Sequence, residues 1–411
     1  MKGVVRVSIL PHTTIERLQV RNFRSLHDVD VALGPLTVLV GPNSAGKSTL
    51  VDALRFVRDA VTRGLDTALA DRGGFSSLHR WTHKGPPHDI HIQLSLRDPA
   101  WTAEYGFTLG TAPKGKYRVK RERLKYDEMQ PGSHTRPVEI ELKEGKLVQA
   151  SDVDRQVEQW LSLAVSAPQT DFTDRLSLPD VFPLLRITPG LVTFLKNMGF
   201  YTIYPDTLRK PQKPGSAYPL DERGDNLATV LRELRRETPG AFDAIKQALS
   251  QVVVGIDDLS VQQVGGYLVT RLHHRSEENG KGGPAFELAL ESDGTLRVLG
   301  ILTALYQEPA RSLVAIEEPE LTVHPGALSV LCDALQEASL RSQVIITTHS
   351  PDLISRFPIE AIRVVEKEGE ATRVGPVEES QYRAVVDKLF LPGELLRIEG
   401  LHRQQTSANE K

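Results

Sequence analysis

Gly41-Pro42-Asn43-Ser44-Ala45-Gly46-Lys47-Ser48-Thr49 is the stretch on which the fold turns. It satisfies the pattern G-x-x-x-x-G-K-[ST] in full. Just upstream, LTVLV at 36–40 is an apolar run between Gly34-Pro35 and Gly41-Pro42, and it reads as a buried strand. Just downstream, STLVDALRFVRDAV places Leu50, Leu54, Val57 and Val61 on one helical stripe. Strand, glycine loop and helix follow in the order a phosphate-binding unit needs. The backbone N–H groups of such a loop, with the positive end of a helix behind them, surround phosphates. Lys47 would neutralise the β and γ phosphates, and the Ser48 hydroxyl would ligate Mg²⁺.

A second apolar strand ends in carboxylates: Leu313-Val-Ala-Ile-Glu317-Glu318-Pro319-Glu320. A strand that delivers acids beside a phosphate loop meets two needs of phosphoryl transfer. One carboxylate, Glu317, would serve the metal; the next, Glu318, would orient and deprotonate the attacking water. Lys47 and Glu318 are separated by most of the chain, far more than a compact GTPase-like unit interposes. The nucleotide domain is therefore expected to be split by an insertion.

Two shorter elements accompany these. Ser292-Asp293-Gly294-Thr295 opens the helical stretch TLRVLGILTAL, where a hydroxyl and N–H groups at a helix N-terminus form either an anion site or an ordinary cap. Thr348-His349-Ser350-Pro351 ends the apolar run QVIITT, where an imidazole could reach a γ-phosphate or the attacking water.

The rest of the chain gives the organisation. IERLQV and VDVAL, separated by a turn at NFRS, read as strands, and HIQLSL, YGFTLG, KYRVKRERL and VEIELKEGKLVQ suggest an antiparallel sheet. VDRQVEQWLSLAV, LVTFLKNMGF, NLATVLRELRR and AFDAIKQALS have helical spacing between proline-rich loops. GYLVTRLHHR and PAFELAL read as strands and GALSVLCDALQEA as a helix. The expected division is residues 1–150 as the first part of the nucleotide domain, 151–250 as an inserted, mostly helical lobe, and 251–411 as its second part.

Composition narrows the class. Hydrophobic residues make up 40% of the chain and charged residues 25%, the balance of a globular protein, and the net charge of −3 does not by itself advertise nucleic acid or an anionic membrane. The single cysteine, Cys332, rules out an intrachain disulfide framework and reads as a small buried hydrophobe in a helix. No signal-like N-terminus and no run of ~18 apolar residues is present, so a cytoplasmic protein without a membrane span is expected.

The order of phosphate loop, SDGT, IEEPE, HP and THSP, together with RNFRSL before the loop, DERGDNLATVLREL at 221–234 and PGELLRIEG near the end, resembles the RecF-like branch of the ABC ATPases, related to the SMC and OLD proteins. The resemblance runs through nearly the whole chain. It implies an α/β P-loop NTPase fold of ABC type, with a mixed central sheet, an antiparallel subdomain and the inserted helical lobe. It also implies ATP and Mg²⁺ as cofactors and an ATP-dependent homodimer that holds two nucleotides between its subunits. Asn43, Ser44, Ala45, Gly46, Lys47, Ser48 and Thr49 then lie in Walker A, with Ser48 and Glu317 on the metal, Glu318 as the catalytic glutamate and His349 as the switch histidine. Ser292, Asp293 and Gly294 look like the signature loop that contacts the γ-phosphate held by the other subunit, and His324-Pro325 like the D-loop.

Three departures accompany the resemblance. Glu317 stands where an aspartate is usual, a longer acid common in this branch. The signature reads ESDGT rather than LSGGQ, which points to a slow or conditional ATPase. No Q-loop glutamine declares itself, Gln93 being the best candidate.

Lys114 through Lys125 holds seven basic residues against the single acid Glu122, and simple alternation would put Lys116, Arg118 and Lys120 on one face suited to DNA phosphates or merely to solvent. The histidines lack a metal-ligand spacing. The OLD relatives carry a C-terminal nuclease module, whereas the tail after His349 has no D-x-D, so a short, stand-alone member without that module is expected. Members of this kind resemble ATPase sensors in DNA repair or phage defence, some with a separately encoded effector nuclease. The leading expectation is an ATP-driven dimerising switch that senses or clamps DNA; the alternative is a nucleotide-dependent scaffold with little hydrolysis.

Overall fold

The computed structural model describes residues 12–80, 88–113, 116–129, 137–151, 175–176, 189–215, 218–253, 255–275 and 283–405. The chain forms two compact units, each assembled from separate stretches: residues 1–35, 42–198 and 365–375 make the first, and 36–41, 199–364 and 376–411 the second.

In the first unit the strands Lys146–Ser151, Val138–Lys143, Tyr117–Glu128, Trp101–Thr111, Ile90–Arg97, Thr14–Phe23 and Leu26–Ala32 lie side by side in that order, each antiparallel to the next. Ala371–Gly375 joins Leu26–Ala32 in parallel. Period-two alternation gives this sheet one apolar face, as in Ile90, Ile92, Leu94 and Leu96, all buried. The helix Lys47–Arg63 buries its stripe, including Leu50, Leu54, Val57 and Val61. Its Phe56 ring lies 5.7 Å from that of Phe23 and 6.2 Å from that of Phe107, so the helix that follows the glycine loop packs on the sheet. Arg72 secures the other side, 2.9 Å from Asp52 and 3.0 Å from the buried Asp59. Burial of both charges is tolerable because each is paired.

In the second unit Leu313–Glu317, Gln343–Thr348, Leu36–Val40 and residues 362–364 run parallel in that order. Leu36–Val40 and Gln343–Thr348 are buried throughout, as expected of strands covered on both faces. The helix Asp293–Tyr306 is buried from Thr295 onward, and Leu227–Glu237, Pro239–Val252 and Leu328–Ala338 supply further apolar faces to the same core. A separate antiparallel trio, Ile256–Val264, Tyr267–His274 and Ala285–Glu287, lies in this unit as well. Cys332 is a buried core residue, and burial pushes its thiol up to about 12.

The local readings differ from the structure at two places. The helical reading of LVTFLKNMGF stops at Lys196, because Met198–Tyr201 is a short strand buried along its length, with Gly199 close under the Tyr201 ring. PAFELAL is a strand only over Ala285–Glu287, and Leu288–Leu290 turns as a 3₁₀ helix. VDRQVEQWLSLAV lies outside the described residues. Among the described residues no helix is long and apolar enough to cross a membrane.

Candidate functional site

Three parallel strands of the second unit end together. Leu36–Val40 leads into Gly41, Gln343–Thr348 into His349, and Leu313–Glu317 into Glu318, with Thr348 opposite Val40 and Glu317 opposite Thr347. The carboxyl ends of adjacent parallel strands are where α/β sheets collect ligands. His349 Nδ1 stands 3.3 Å from Glu318 Oε1, and both side chains remain partly exposed. A carboxylate oriented by an imidazole, open to solvent at a strand end, is equipped to hold a water molecule and take its proton.

Glu318 is kept in place by its backbone. Its φ is +46°, in the left-handed region that non-glycine residues seldom occupy. Two fixtures hold that conformation. Glu318 N–H donates to Thr347 O at 2.9 Å, and Arg297 Nη2 donates to the carbonyls of Glu317 at 3.3 Å and Glu318 at 3.1 Å. Arg297 belongs to the helix that SDGT opens, is 6% exposed, and sends Nη1 to Ile203 O at 3.1 Å. Burial lowers its pKa, while the carboxylates of Glu320 and Glu318 favour its charge. The sequence reading passed over this residue; its signal was a lone cation within TLRVLGILTAL.

Glu320 is a second residue that the sequence reading gave no role. Thr348 Oγ1 donates to Glu320 Oε1, and Ser350 N–H donates to Thr348 Oγ1 at 2.9 Å. Burial raises the Glu320 carboxyl above its ordinary range, against the opposing pull of the Thr348 hydrogen bond and of His349.

The phosphate loop continues from Gly41 into the first unit. Ser44 has φ +65° and Gly46 φ +109°, and the helix Lys47–Arg63 begins with no side chain capping it. Lys47 is buried and donates to Pro42 O at 3.0 Å, Ala45 is buried, and Asn43, Ser44 and Ser48 are exposed, with Thr49 half-buried. A helix N-terminus without a side-chain cap suits an anion. The hydroxyl of Ser48 and the carboxylate of Glu317 are hard oxygen donors, the kind Mg²⁺ takes.

The SDGT segment is a helix start in the structure. Ser292 Oγ accepts from Thr295 N–H at 3.2 Å, Arg209 holds the Asp293 carboxylate, and Arg209 Nη2 also donates to Glu291 O at 3.0 Å. Gly294 is required by packing, since a Cβ there would sit 2.5 Å from Thr322 O, in the stretch between Glu318 and His324. His324 caps the next short turn, its Nδ1 accepting from Gly326 N–H at 3.1 Å.

A family model described as "AAA domain, putative AbiEii toxin, Type IV TA system" matches residues 36–355, which span the phosphate loop, SDGT, the acidic strand end and His349. The chain belongs to this AAA-domain family. The "OLD nuclease" of Thermus scotoductus is 25% identical over 86% of this chain and 62% of its own length. The "Uncharacterized protein YbjD" of Escherichia coli K12 is 24% identical over 88% of this chain and 64% of its own. The chain thus spans somewhat under two thirds of the length of these curated relatives. Among solved structures, an SmcHead bound to the C-winged helix domain of ScpA is similar with a TM-score of 0.55 and 13% identity, over 89% of this chain and 99% of that one. The fold of this AAA-domain protein is therefore the P-loop fold of the SMC heads, within the ABC, SMC and OLD branch.

The structure also places two further candidates of this AAA-domain protein. Gln93 occupies a regular ladder position in mid-strand, opposite Gln19 and Gly106. The basic strand Tyr117–Glu128 carries a bulge at Lys120, because Leu109 pairs with Val119 but Thr108 pairs with Arg121. The extra residue shifts the alternation, so Arg121, Arg123 and Lys125 lie opposite the buried Glu122, Leu124 and Tyr126. The bulge falls after Arg118, and the Lys120 side chain runs beside Gly110, the pairing partner of Arg118. The cations also have acidic neighbours: Arg118 lies 3.1 Å from Glu144, Lys120 2.7 Å from Asp89, and Arg121 2.9 Å from Glu141. Lys114 lies outside the described residues.

Proposed function

We propose that this chain binds Mg²⁺ and ATP through residues 41–49 and hydrolyses the γ-phosphate, with Glu318 as the base and His349 as its orienting partner. The observation that carries this is the 3.3 Å approach of His349 Nδ1 to Glu318 Oε1 at the ends of adjacent parallel strands. In the proposed reaction Asn43, Ser44, Ala45, Gly46 and Thr49 surround the phosphates, and Lys47 offsets their charge. Ser48 and Glu317 would hold Mg²⁺, which would supply Lewis-acid stabilisation of the phosphate charge. Glu318 aligns a water molecule and accepts its proton, and His349 fixes the carboxylate's orientation.

The resemblance to ABC ATPases extends the reading to a cytoplasmic, ATP-dependent homodimer in which Ser292 and Gly294 of each subunit complete the nucleotide site of the other. In this reading closure signals the nucleotide state, from a DNA-sensing or DNA-clamping event in repair or phage defence, to a partner such as a separately encoded effector. The longer OLD nuclease relative supports the nuclease class of effector. The DNA element rests on the resemblance and not on the basic strand, whose cations have carboxylates beside them.

One observation favours a second reading, a nucleotide-dependent scaffold with little turnover. The signature segment departs from LSGGQ, and its serine hydroxyl already serves as a helix cap at 3.2 Å. Calorimetric titration of ATP and steady-state phosphate release, on wild type and Lys47→Ala, separate the cases. Tight binding with turnover that both vanish in Lys47→Ala supports the ATPase; tight binding without turnover supports the scaffold. Equal ATP affinity in the two proteins removes residues 41–49 from the nucleotide site.

A further inference from the structure

The phosphate loop is held from behind by a residue near the other end of the chain. Thr372, on the strand Ala371–Gly375, is fully buried. Its N–H donates to Ser25 O at 2.8 Å, and its hydroxyl lies 2.8 Å from Ser25 Oγ and 2.8 Å from Ala45 O. A hydroxyl has a single proton. Because the Ala45 carbonyl can only accept, Thr372 gives its proton to Ala45, and the proton between the two hydroxyls is Ser25's. Ser25 follows Arg24, whose φ of +48° bends the turn of RNFRSL toward this point. All these residues belong to the first unit.

Peptide geometry turns this contact into a statement about the loop. The Ala45–Gly46 bond is not among the cis peptides, so it is planar and trans, and the Gly46 N–H points away from the Ala45 carbonyl. Anchoring that carbonyl on Thr372 aims the Gly46 N–H in the opposite direction, away from Thr372. A flip of this one peptide would present a carbonyl oxygen to an anion in place of a donor. The packing admits no slack: a Cβ on Gly46 would stand 2.2 Å from Thr372 Oγ1 and 2.7 Å from its Cγ2. With φ at +109°, Gly46 is also in a region that side chains disfavour. The second glycine of the loop pattern is thus explained by the threonine behind it.

We propose that Thr372 is a positioning residue for nucleotide binding, fixing the Ala45–Gly46 peptide so that the Gly46 N–H faces the phosphates. This rests on the assignment of residues 41–49 to the nucleotide. The motif RNFRSL then has a task as well, since its Ser25 completes the hydroxyl pair that holds the peptide.

The test is calorimetric titration of full-length protein with ATP at fixed Mg²⁺, with thermal unfolding measured alongside. Thr372→Val keeps the shape and removes the donor, and should weaken ATP affinity about tenfold, the scale of one lost hydrogen bond. Thr372→Ser keeps the hydroxyl and should stay within about twofold of wild type, the rescue expected of a lost donor rather than of lost packing. Thr372→Cys, near in size and a poor donor, should behave like valine and stands in if the valine variant does not fold. Wild-type affinity in folded Thr372→Val or Thr372→Cys overturns the proposal, as does an equal loss in the serine variant. If wild type itself fails to bind ATP, the nucleotide assignment falls and takes the proposal with it.

Discussion

Arg297→Met is the sharpest probe of how the acidic strand end is held. Methionine keeps the apolar stem in the helix Asp293–Tyr306 and removes a guanidinium that is 6% exposed and donates to the carbonyls of Ile203, Glu317 and Glu318 at 3.1–3.3 Å. A buried carbonyl left without its partner costs ~1–3 kcal/mol. The guanidinium serves three carbonyls, those of Ile203, Glu317 and Glu318, so the loss exceeds that of a single hydrogen bond. Against this, methionine relieves the desolvation of a buried charge. The net destabilisation should be about 2–4 kcal/mol. At ~2 °C per kcal/mol for a unit of this size, the unfolding midpoint should fall by roughly 4–8 °C in a thermal melt followed by circular dichroism. Arg297→Lys should recover less than half of it, because an ammonium cannot reach carbonyls on two sides as a planar fork does. Phosphate release should drop further than the melt alone accounts for, since Glu318 loses one of the two contacts that hold its left-handed backbone. A midpoint unchanged within about 1 °C, with wild-type turnover, would refute the role assigned to Arg297.

Glu318→Gln should retain ATP binding and lower steady-state phosphate release by ~10²- to 10⁴-fold, the usual contribution of a general base, and a variant with wild-type turnover excludes Glu318 from that part. Ser292→Arg should leave ATP affinity near wild type while abolishing ATP-dependent dimerisation in light scattering; mixing it with Lys47→Ala should restore part of the activity, because one of the two sites in the mixed dimer carries neither change. A Ser292→Arg protein that turns over normally as a monomer would end the shared-site reading. Glu320→Gln tests the buried carboxyl. Its folded pKa is raised from 4.5, so the folded state holds the proton more tightly than the unfolded chain, and the stability this contributes is full below the unfolded value and lost as pH rises through the raised one. The glutamine variant should lack that decline and gain in melting temperature relative to wild type on the neutral side, and parallel melting-versus-pH curves would show that Glu320 titrates normally.

What could be read from the sequence was what neighbouring residues encode. The stripe Leu50, Leu54, Val57 and Val61 and the apolar runs 36–40, 313–316 and 343–348 announce one helix and three buried strands, because burial imposes a period or a run on a short window. That Glu318 and His349 stand at strand ends was equally local. That those two strands are neighbours, bringing the imidazole to the carboxylate, is written in neither segment and came only through the resemblance. That Arg121, Arg123 and Lys125 take the less buried face was not legible, because the bulge at Lys120 depends on the strand's pairing with Thr108 and Leu109, which no periodicity within 116–125 reveals. Arg297 and Thr372 escaped for the same reason: the carbonyls they hold are remote in sequence, and a lone arginine or threonine has no pattern.

The central position of Leu36–Val40 also constrains how the protein is made. Both of its partners, Gln343–Thr348 and residues 362–364, are encoded some three hundred residues later. At a synthesis rate of ~5–20 residues per second, this mostly apolar strand waits about 15–60 s for its first neighbour. Throughout that interval LTVLV is a nascent segment with two unpaired edges, the kind of sequence that pairs with the wrong chain. Any fragment ending before Gln343 would make the wait permanent, so shortened versions should be collected as aggregates or as cargo of holding chaperones, and expression at reduced temperature should favour the full chain over them.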